Sequence, residues 1–131
     1  MKISYKDLQE AEQSLLRLLQ IPMEPKLAYR MTKLARQIHD TFKYINKIRI
    51  DLVHKYGEKE KDNDNISVPK EKYPQFKKEF EDFLAKETDM DIQKIPWECI
   101  ELSGVKLSPI DLVILNSFIV IPDKLKEDLN V

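Results

Sequence analysis

Apolar residues recur at helical spacing in the first part of the chain, and prolines separate the periodic segments. In the first segment Leu8, Ala11, Leu15 and Leu18 lie three or four residues apart, and Leu19 follows Leu15 by four. This spacing predicts a short N-terminal helix over 5–20. Ser4 is its expected N-cap, with Asp7 three residues later. Pro22 and Pro25 end this helix, because proline cannot continue one but can begin the next.

The longest periodic segment predicts a helix over 25–57. Two series of positions repeat every seven residues: Met31, Ile38, Ile45 and Leu52 in one, and Leu27, Leu34, Thr41 and Ile48 in the other. Such a repeat is typical of the seam of a coiled coil. A helix of this length extends for about 45 Å and must pack against another element along it. Gly57 is the expected C-terminal cap.

A polar connector over 58–68 precedes a third helix, predicted over 69–87. Pro74 disfavours a regular start at Pro69, so we expect a turn at 69–73 and the main helix from 74. The stripe of apolar residues comprises Tyr73, Phe76, Phe80, Phe83 and Leu84. The natural arrangement is a long antiparallel helical hairpin of 25–57 and 69–87. Whether the two helices pair within one chain or between chains stays open, since the seven-residue repeat of 25–57 is compatible with either arrangement.

The C-terminal third predicts an extended segment over 88–96, an apolar helix over 108–121 and a tail over 122–131. Ser108 is the expected N-cap, with Pro109 at the first helical position. The helix is apolar nearly all round, which is typical of a core helix or of one that docks on another chain. Its candidate docking residues are Ile110, Val113, Ile114 and Phe118. Two short strands, around Ile66 and around 90–92, are compatible with one small two-stranded β ribbon.

These elements predict a single all-α domain over 1–131. The chain contains only two glycines, which disfavours an all-β fold and any glycine-rich phosphate loop. Cys99 is the only cysteine, so it forms no disulfide within the chain. Without a signal-like N-terminus or a long apolar run, the expected protein is intracellular, cytoplasmic and makes no membrane contact.

The sequence offers little for catalysis or metal binding. The run Asp62–Asn65 begins like a calcium loop, but Ile66, Ser67 and Tyr73 occupy positions 5, 6 and 12, where such a loop needs a ligand, glycine and glutamate. His39 and His54 are too far apart on one helix to share a metal and are expected at the surface. We therefore expect no cofactor, no metal and no enzymatic activity.

The charge of the long helix is its most informative chemical feature. Segment 25–57 carries eight basic and two acidic residues, a net charge of +6, in a chain of net charge −1. Most of the basic residues lie opposite the apolar stripe, with two tyrosines among them. The candidate binding face comprises Lys26, Tyr29, Arg30, Lys33, Arg36, Lys43, Tyr44 and Lys47. Such a face suits a nucleic-acid backbone or an acidic protein surface, or it simply faces water or pairs with the acidic segment 58–91.

Arg49 differs from the other basic residues because it lies inside the apolar stripe. An unpaired charge there would cost several kcal/mol. We predict an ion pair with Glu79 or Asp82 of the third helix or a polar contact in an oligomer. The alternative is that the stripe is open to solvent at this point.

Several stretches resemble a family of small helical proteins of unknown function that are encoded by phages and prophages. The resembling stretches are PKLAYRMTKLARQI, LVHKYGEKEKDNDNISVP, FKKEFEDFLAKETDMDIQKIP and LSPIDLVILNSFI. Together they cover most of 5–120. The resemblance implies a phage or prophage origin and an accessory role in the cytoplasm of the host cell. It supplies no catalytic residues.

The expected function is that of a non-enzymatic interaction protein that works through its helix faces. The partner would be a host protein, another phage protein or a second copy of the chain. The alternative is a nucleic-acid-binding regulator that uses the basic face of the long helix. Affinity that falls steeply with salt would favour the alternative.

Overall fold

The computed structural model describes residues 1–60 and 65–125 and shows a mainly helical chain. The helices are α1 (Tyr5–Leu18), α2 (Pro25–Tyr56), α3 (Tyr73–Leu84), α4 (Trp97–Ser103) and α5 (Pro109–Leu115), followed by a 3-10 turn (Asn116–Phe118). The short strands are β1 (Lys2–Ser4), β2 (Glu58–Lys59), β3 (Ile66–Ser67), β4 (Glu87–Asp89), β5 (Ile95–Pro96) and β6 (Ile119–Val120). The mainly helical class predicted from the sequence is confirmed.

Helix α1 begins as its capping residues predict. The Ser4 hydroxyl oxygen accepts a hydrogen bond from the Asp7 backbone N–H at 3.1 Å. This bond satisfies one of the backbone donors that a helix leaves free in its first turn. The apolar side chains of α1, Leu8, Ala11, Leu15 and Leu18, are all buried. Helix α1 therefore packs its predicted face into the core, mainly against α2.

Helix α2 runs from Pro25 to Tyr56, so the predicted long helix is confirmed. Pro25 occupies its first position, and the N–H of the C-cap residue Gly57 donates to the Val53 carbonyl oxygen at 2.6 Å. Its buried side chains are Leu27, Met31, Leu34, Ile38 and Ile45. All of them lie in the part of the helix before residue 46. The last turns of α2 are less deeply covered.

Helix α3 packs against the second half of α2. The two helices are antiparallel: Tyr44 of α2 contacts Phe83 of α3, and Lys55, further along α2, contacts Glu79, which comes earlier in α3. Helix α3 begins at Tyr73, with the turn at 69–72 before it, and ends at Leu84. None of its side chains is fully buried. Helix α3 is therefore a partial cover for α2.

Within residues 1–60 and 65–125, three pairs of short strands replace the single predicted ribbon. Strand β1 pairs antiparallel with β4, β2 pairs antiparallel with β3, and β5 pairs parallel with β6. The predicted pairing of the strand around Ile66 with the strand at 90–92 is wrong. Ile66 pairs instead with Lys59, across the connector between α2 and α3. Residues 61–64 of this connector and 126–131 of the predicted tail lie outside the described residues.

The predicted helix over 108–121 is too long. The Ser108 hydroxyl does cap α5, at 3.1 Å from the Asp111 N–H, but α5 ends at Leu115. Asn116 and Ser117 then form the 3-10 turn, and Ile119 pairs with Ile95. Asparagine and serine compete with helical hydrogen bonds, whereas the β-branched run that follows suits a strand.

A single core joins α1, the first half of α2, β5 and the 3-10 turn. Phe118 is fully buried and is the largest side chain at its centre. Ile95, Ile100, Leu115 and Ile119 complete the C-terminal side of this core. The packing fixes the segment before β5 beside the first half of α2, and this placement forms the candidate site.

Candidate binding face on the long helix

The predicted binding face divides into two groups of residues at Asp40. By a count of about 100° per residue, Asp40 lies on the same face as the basic residues. The first group, before Asp40, contains Lys26, Tyr29, Arg30, Lys33 and Arg36. The second group, after Asp40, contains Lys43, Tyr44 and Lys47. The structure places the two groups in different surroundings.

The first group borders a groove of about 540 Å³ between α2 and the segment at 93–95, named here the α2 groove. Lys26, Tyr29, Arg30 and Lys33 contribute from α2, and Gln93 and Ile95 from the opposite side. Buried Leu34 and Ile95 form apolar lining, and Tyr29 is 73% exposed at the edge. The groove therefore combines an apolar surface with three cations.

Two contacts hold the segment opposite α2 in place. The Gln37 side-chain amide donates to the Asp91 carbonyl oxygen at 3.0 Å. Ile95 is buried and pairs with Ile119 in the parallel strand pair. The far side of the α2 groove is thus fixed to the core rather than carried on an isolated loop.

The cations of the first group are not neutralised by neighbouring carboxylates. Across residues 1–60 and 65–125, no ion pair involves Lys26, Arg30, Lys33 or Arg36. The first turn of α2 also contains no acidic residue, and the N-terminal end of a helix carries a partial positive charge. This end of α2 is therefore suited to a negatively charged group.

A shallower groove of about 480 Å³ adjoins the α2 groove along the helix. Tyr29, Lys33 and Gln37 line both grooves, and Arg36 and Asp40 line only the shallower one. Tyr29 consequently stands on a ridge with a depression on either side. An exposed ring in this position can contact a ligand in either groove.

The second group has a different environment because α1 and α3 reach it. The Tyr44 ring lies 5.8 Å from the Tyr5 ring and 5.8 Å from the Phe83 ring, between centroids. Tyr44 therefore belongs to an aromatic cluster between helices, with 47% of its surface still exposed, whereas Tyr29 makes no ring contact among the described residues. Lys43 and Lys47 are exposed beside it.

The predicted ion pair of Arg49 with Glu79 or Asp82 is wrong. Arg49 is exposed, and its Nε and Nη2 donate to the Asn46 side-chain oxygen at 3.1 and 2.9 Å. The apolar stripe is only partly covered in this part of α2, where its residues Ile48 and Leu52 are half-buried. The angular count placed Arg49 on the stripe but could not show where the covering helices end.

Glu79 pairs with the last turn of α2 instead. It accepts a hydrogen bond from Lys55 Nζ at 3.0 Å and another from the Tyr56 hydroxyl. These bonds, first the one from Tyr56 and then the one from Lys55, hold the pKa of Glu79 below its ordinary value. The bond to Glu79 likewise raises the pKa of Lys55 and that of Tyr56. The acidic helix α3 thus neutralises the end of α2, not its first group of cations.

The predicted apolar docking helix is only partly at the surface. Ile110 and Val113 are 67% and 76% exposed, and Ile114 is half-buried. The prediction for Phe118 is wrong, because this side chain is at the centre of the core. The early end of α5 explains the difference, since the 3-10 turn redirects Phe118 inward.

Sequence reasoning missed a buried polar contact between α1 and α2. The Glu12 side chain is buried, and its Oε1 lies 2.7 Å from Nδ1 of His39. His39 is about half exposed, so its predicted surface location holds for only one side of the ring. The available signal was the position of Glu12 beside Ala11 and one turn after Leu8, within the apolar stripe of α1. Asp111 is also buried and pairs with Arg17.

The described residues contain no cluster of three or more histidine, cysteine, aspartate or glutamate side chains placed to hold a metal ion. Asp62 and Asp64, the acidic residues of the calcium-like run, lie outside them. In the same part of the chain, no helix has the length and apolar character needed to cross a membrane.

No family model matches the chain, and no curated protein or solved structure is significantly similar to it. The resemblance to the phage-encoded family therefore stays a prediction. The α2 groove and its cations are therefore the features of the molecule that bear on its function.

Proposed function

We propose that the protein is a non-enzymatic interaction protein that binds a partner protein through the first half of α2. A phage or prophage origin is part of this proposal and makes a host or phage protein the expected partner, in the host cytoplasm. The observation that carries the proposal is the set of unpaired cations around the apolar α2 groove.

The grouping of these cations supports a binding role. Solvent exposure alone would account for single lysines, but Lys26, Arg30 and Lys33 border the same groove as exposed Tyr29. Exposed tyrosine and arginine are enriched in protein interfaces because each combines apolar area with hydrogen-bonding capacity. Carboxylates of a partner would pair with these cations, which form no ion pair within the described chain.

The polar groups of the groove favour recognition over catalysis. They comprise ammonium and guanidinium groups, the Tyr29 hydroxyl and the amides of Gln37 and Gln93. Such groups hold and orient an anion, whereas nucleophilic catalysis requires a nucleophile beside a base. This is the reason for proposing an interaction protein.

A nucleic-acid-binding regulator is the second candidate, and Tyr29 is the observation that favours it. Its ring is 73% exposed and lies among cations. Single-stranded nucleic acids bind to such surfaces through stacking and phosphate contacts. Against this candidate, Tyr44 lies in the aromatic cluster and Asp40 separates the two groups of cations.

Two matched double variants test the proposed function. Lys26→Glu/Lys33→Glu alters the first group, and Lys43→Glu/Lys47→Glu alters the second group by the same charge on the same helix. Each variant and the wild type would be used to select from a random peptide library. In parallel, fluorescence anisotropy would measure binding of a single-stranded oligonucleotide and a duplex at low and high salt.

We expect the wild type and the Lys43→Glu/Lys47→Glu control to enrich acidic peptides and the Lys26→Glu/Lys33→Glu variant to lose them. The same peptides from all three proteins would contradict the proposed function. Salt-sensitive oligonucleotide binding that only the Lys26→Glu/Lys33→Glu variant loses, with no acidic peptides enriched, would replace it with the second candidate.

A further inference from the structure

We infer that the α2 groove accepts an extended acidic peptide segment that carries one large apolar side chain between its carboxylates. The inference rests on the proposed function and specifies the part of the partner that α2 recognises. It follows from the arrangement of apolar and charged groups in the groove and from the carboxylates around it.

The apolar lining of the groove requires an apolar group on the ligand. Leu34 and Ile95 lie in the groove with the rings of Pro25 and Tyr29 near its edge. Its volume, about 540 Å³, is within the range of ~300–1,000 Å³ that is usual for ligand clefts. A segment with carboxylates alone would leave this lining in contact with water, whereas a leucine or phenylalanine side chain would cover it.

The spacing of the cations matches an extended chain. Lys26, Arg30 and Lys33 are four and three residues apart, so neighbours are about 5–6 Å apart on one side of α2. In an extended segment, alternate side chains point the same way and lie about 6.6 Å apart, twice the rise per residue. Two carboxylates on alternate residues can therefore face adjacent cations, while the residue between them points away from α2, toward Ile95 on the opposite side of the groove.

The amides in the groove can bind the backbone of such a segment. The Gln37 side-chain N–H₂ donates to the Asp91 carbonyl, which leaves its oxygen as an acceptor, and Gln93 on the opposite side is exposed. An extended segment presents its own N–H and C=O groups along both edges. Amides on two sides of the groove provide donors and acceptors for these groups.

The carboxylates around the groove limit how far an anionic ligand can extend. Glu24 precedes the first group of cations, Asp40 follows it, and Asp91 belongs to the opposite segment. From Lys26 to Lys33 the cations span only about 10 Å of helix. A nucleic-acid strand has a phosphate at every nucleotide and would continue past these carboxylates. A short acidic segment ends before it reaches them, and this difference favours the peptide.

Two labelled synthetic peptides test the inference by fluorescence anisotropy with the full chain. The first, Gly-Glu-Phe-Glu-Gly with blocked ends, has the anchor between two carboxylates on alternate residues, and the second, Gly-Glu-Ala-Glu-Gly, lacks it. We expect the wild type to bind the first peptide about tenfold or more tightly than the second, because the ring leaves water. Tyr29→Ala should reduce this preference, and Lys26→Glu/Lys33→Glu should weaken both peptides. Lys43→Glu/Lys47→Glu should bind as the wild type does.

The outcomes distinguish a failure of the apolar anchor from a failure of the proposed function. Equal binding of both peptides that depends on Lys26 and Lys33 would overturn the anchor and leave the proposed function in place. Failure of both peptides to bind, together with library selections that the Lys26→Glu/Lys33→Glu variant does not change, would overturn the proposed function as well. Circular dichroism of each variant verifies that the helices are retained.

Discussion

The two halves of α2 have similar sequences on their outer face but different surroundings. In the first half the apolar residues are deeply buried against α1, and the outer cations have no partner among the described residues. In the second half burial is shallower, Tyr44 contacts rings from two other helices, and Lys55 pairs with Glu79. The first half is thus more firmly packed inside. On the outer face Lys43 and Lys47 likewise form no ion pair among the described residues, so the α2 groove and the ring of Tyr29 are what distinguish the first half.

This difference indicates which cations are available for a function. A basic and aromatic face on a helix is ambiguous, because the same residues can bind a partner or stabilise the fold. In the second half Tyr44 contacts α1 and α3, and Lys55 contacts α3, so both serve the fold. Within the described chain the cations of the first half form no ion pair and Tyr29 makes no ring contact. Since they also border the α2 groove, they are the better candidates for binding.

The largest expected effect concerns burial in the two halves. Ile38 is fully buried, so Ile38→Ala should reduce the free energy of unfolding by about 2–5 kcal/mol through lost contacts and a residual cavity. Leu52 is only half-buried, so Leu52→Ala should reduce the free energy of unfolding clearly less than Ile38→Ala does. Urea denaturation followed by circular dichroism measures both. Equal losses would mean that the two halves are equally well packed.

The next effect concerns the contact of α2 with α1. His39→Ala removes the hydrogen-bond partner of buried Glu12, and an unsatisfied buried polar group costs about 1–3 kcal/mol. Adding Glu12→Gln should recover part of this loss, because a neutral amide is less costly to bury than a carboxylate. A double-mutant cycle in urea gives the coupling energy. If the stability losses of His39→Ala and Glu12→Gln simply added in the double variant, the contact between the two side chains would not contribute to stability.

The two tyrosines provide a direct comparison between the halves. Tyr44→Ala removes two ring contacts and should destabilise the protein by about 1 kcal/mol or more. Tyr29→Ala should change stability by less than about 0.5 kcal/mol, since the side chain is largely exposed. Its effect should instead be on peptide binding. Thermal unfolding measures the two losses of stability, and fluorescence anisotropy measures peptide binding. If Tyr29→Ala destabilised the protein as much as Tyr44→Ala, the assignment of Tyr29 to binding and Tyr44 to the fold would be contradicted.

The smallest effect is the pH dependence of the Glu79 contacts. Because the pKa of Glu79 is lowered in the folded protein, its stabilising contribution is present above the ordinary carboxyl range and disappears as the pH falls through the folded pKa. Glu79→Gln should therefore lower the melting temperature slightly at pH 7, and this effect should become smaller at pH 3. Glu81→Gln, which alters an exposed pair with Lys77 in the same helix, is the control. A Glu79→Gln effect of the same size at both pH values would contradict the assignment.

Local signals in the sequence predicted the starts of helices better than their ends or partners. Ser4, Pro25 and Ser108 marked three helix starts, because caps and proline act through neighbouring backbone groups. The end of α5 was missed because Ile119 pairs with Ile95, a contact between distant parts of the chain. Strand β1 and helix α4 also escaped prediction, since short elements depend on tertiary contacts.

The candidate site was predicted in part for the same reason. Periodicity placed Lys26, Tyr29, Arg30 and Lys33 on one face, and the structure adds the segment at 93–95 that makes this face a groove. Angular counting also placed Tyr44 on the face and Arg49 on the stripe. It could not show that α1 and α3 reach Tyr44 or that the stripe is only partly covered beside Arg49.

The most direct test of the central claim is a map of amide chemical shifts during titration with the anchored acidic peptide. The account predicts that the shifted amides cluster at 25–37 of α2 and at 91–95 opposite. The amides of 43–56 should stay unchanged, although Lys43 and Lys47 are exposed. Shifts centred on 43–56, or spread evenly along the basic face of α2, would contradict the claim that the first half is the binding half.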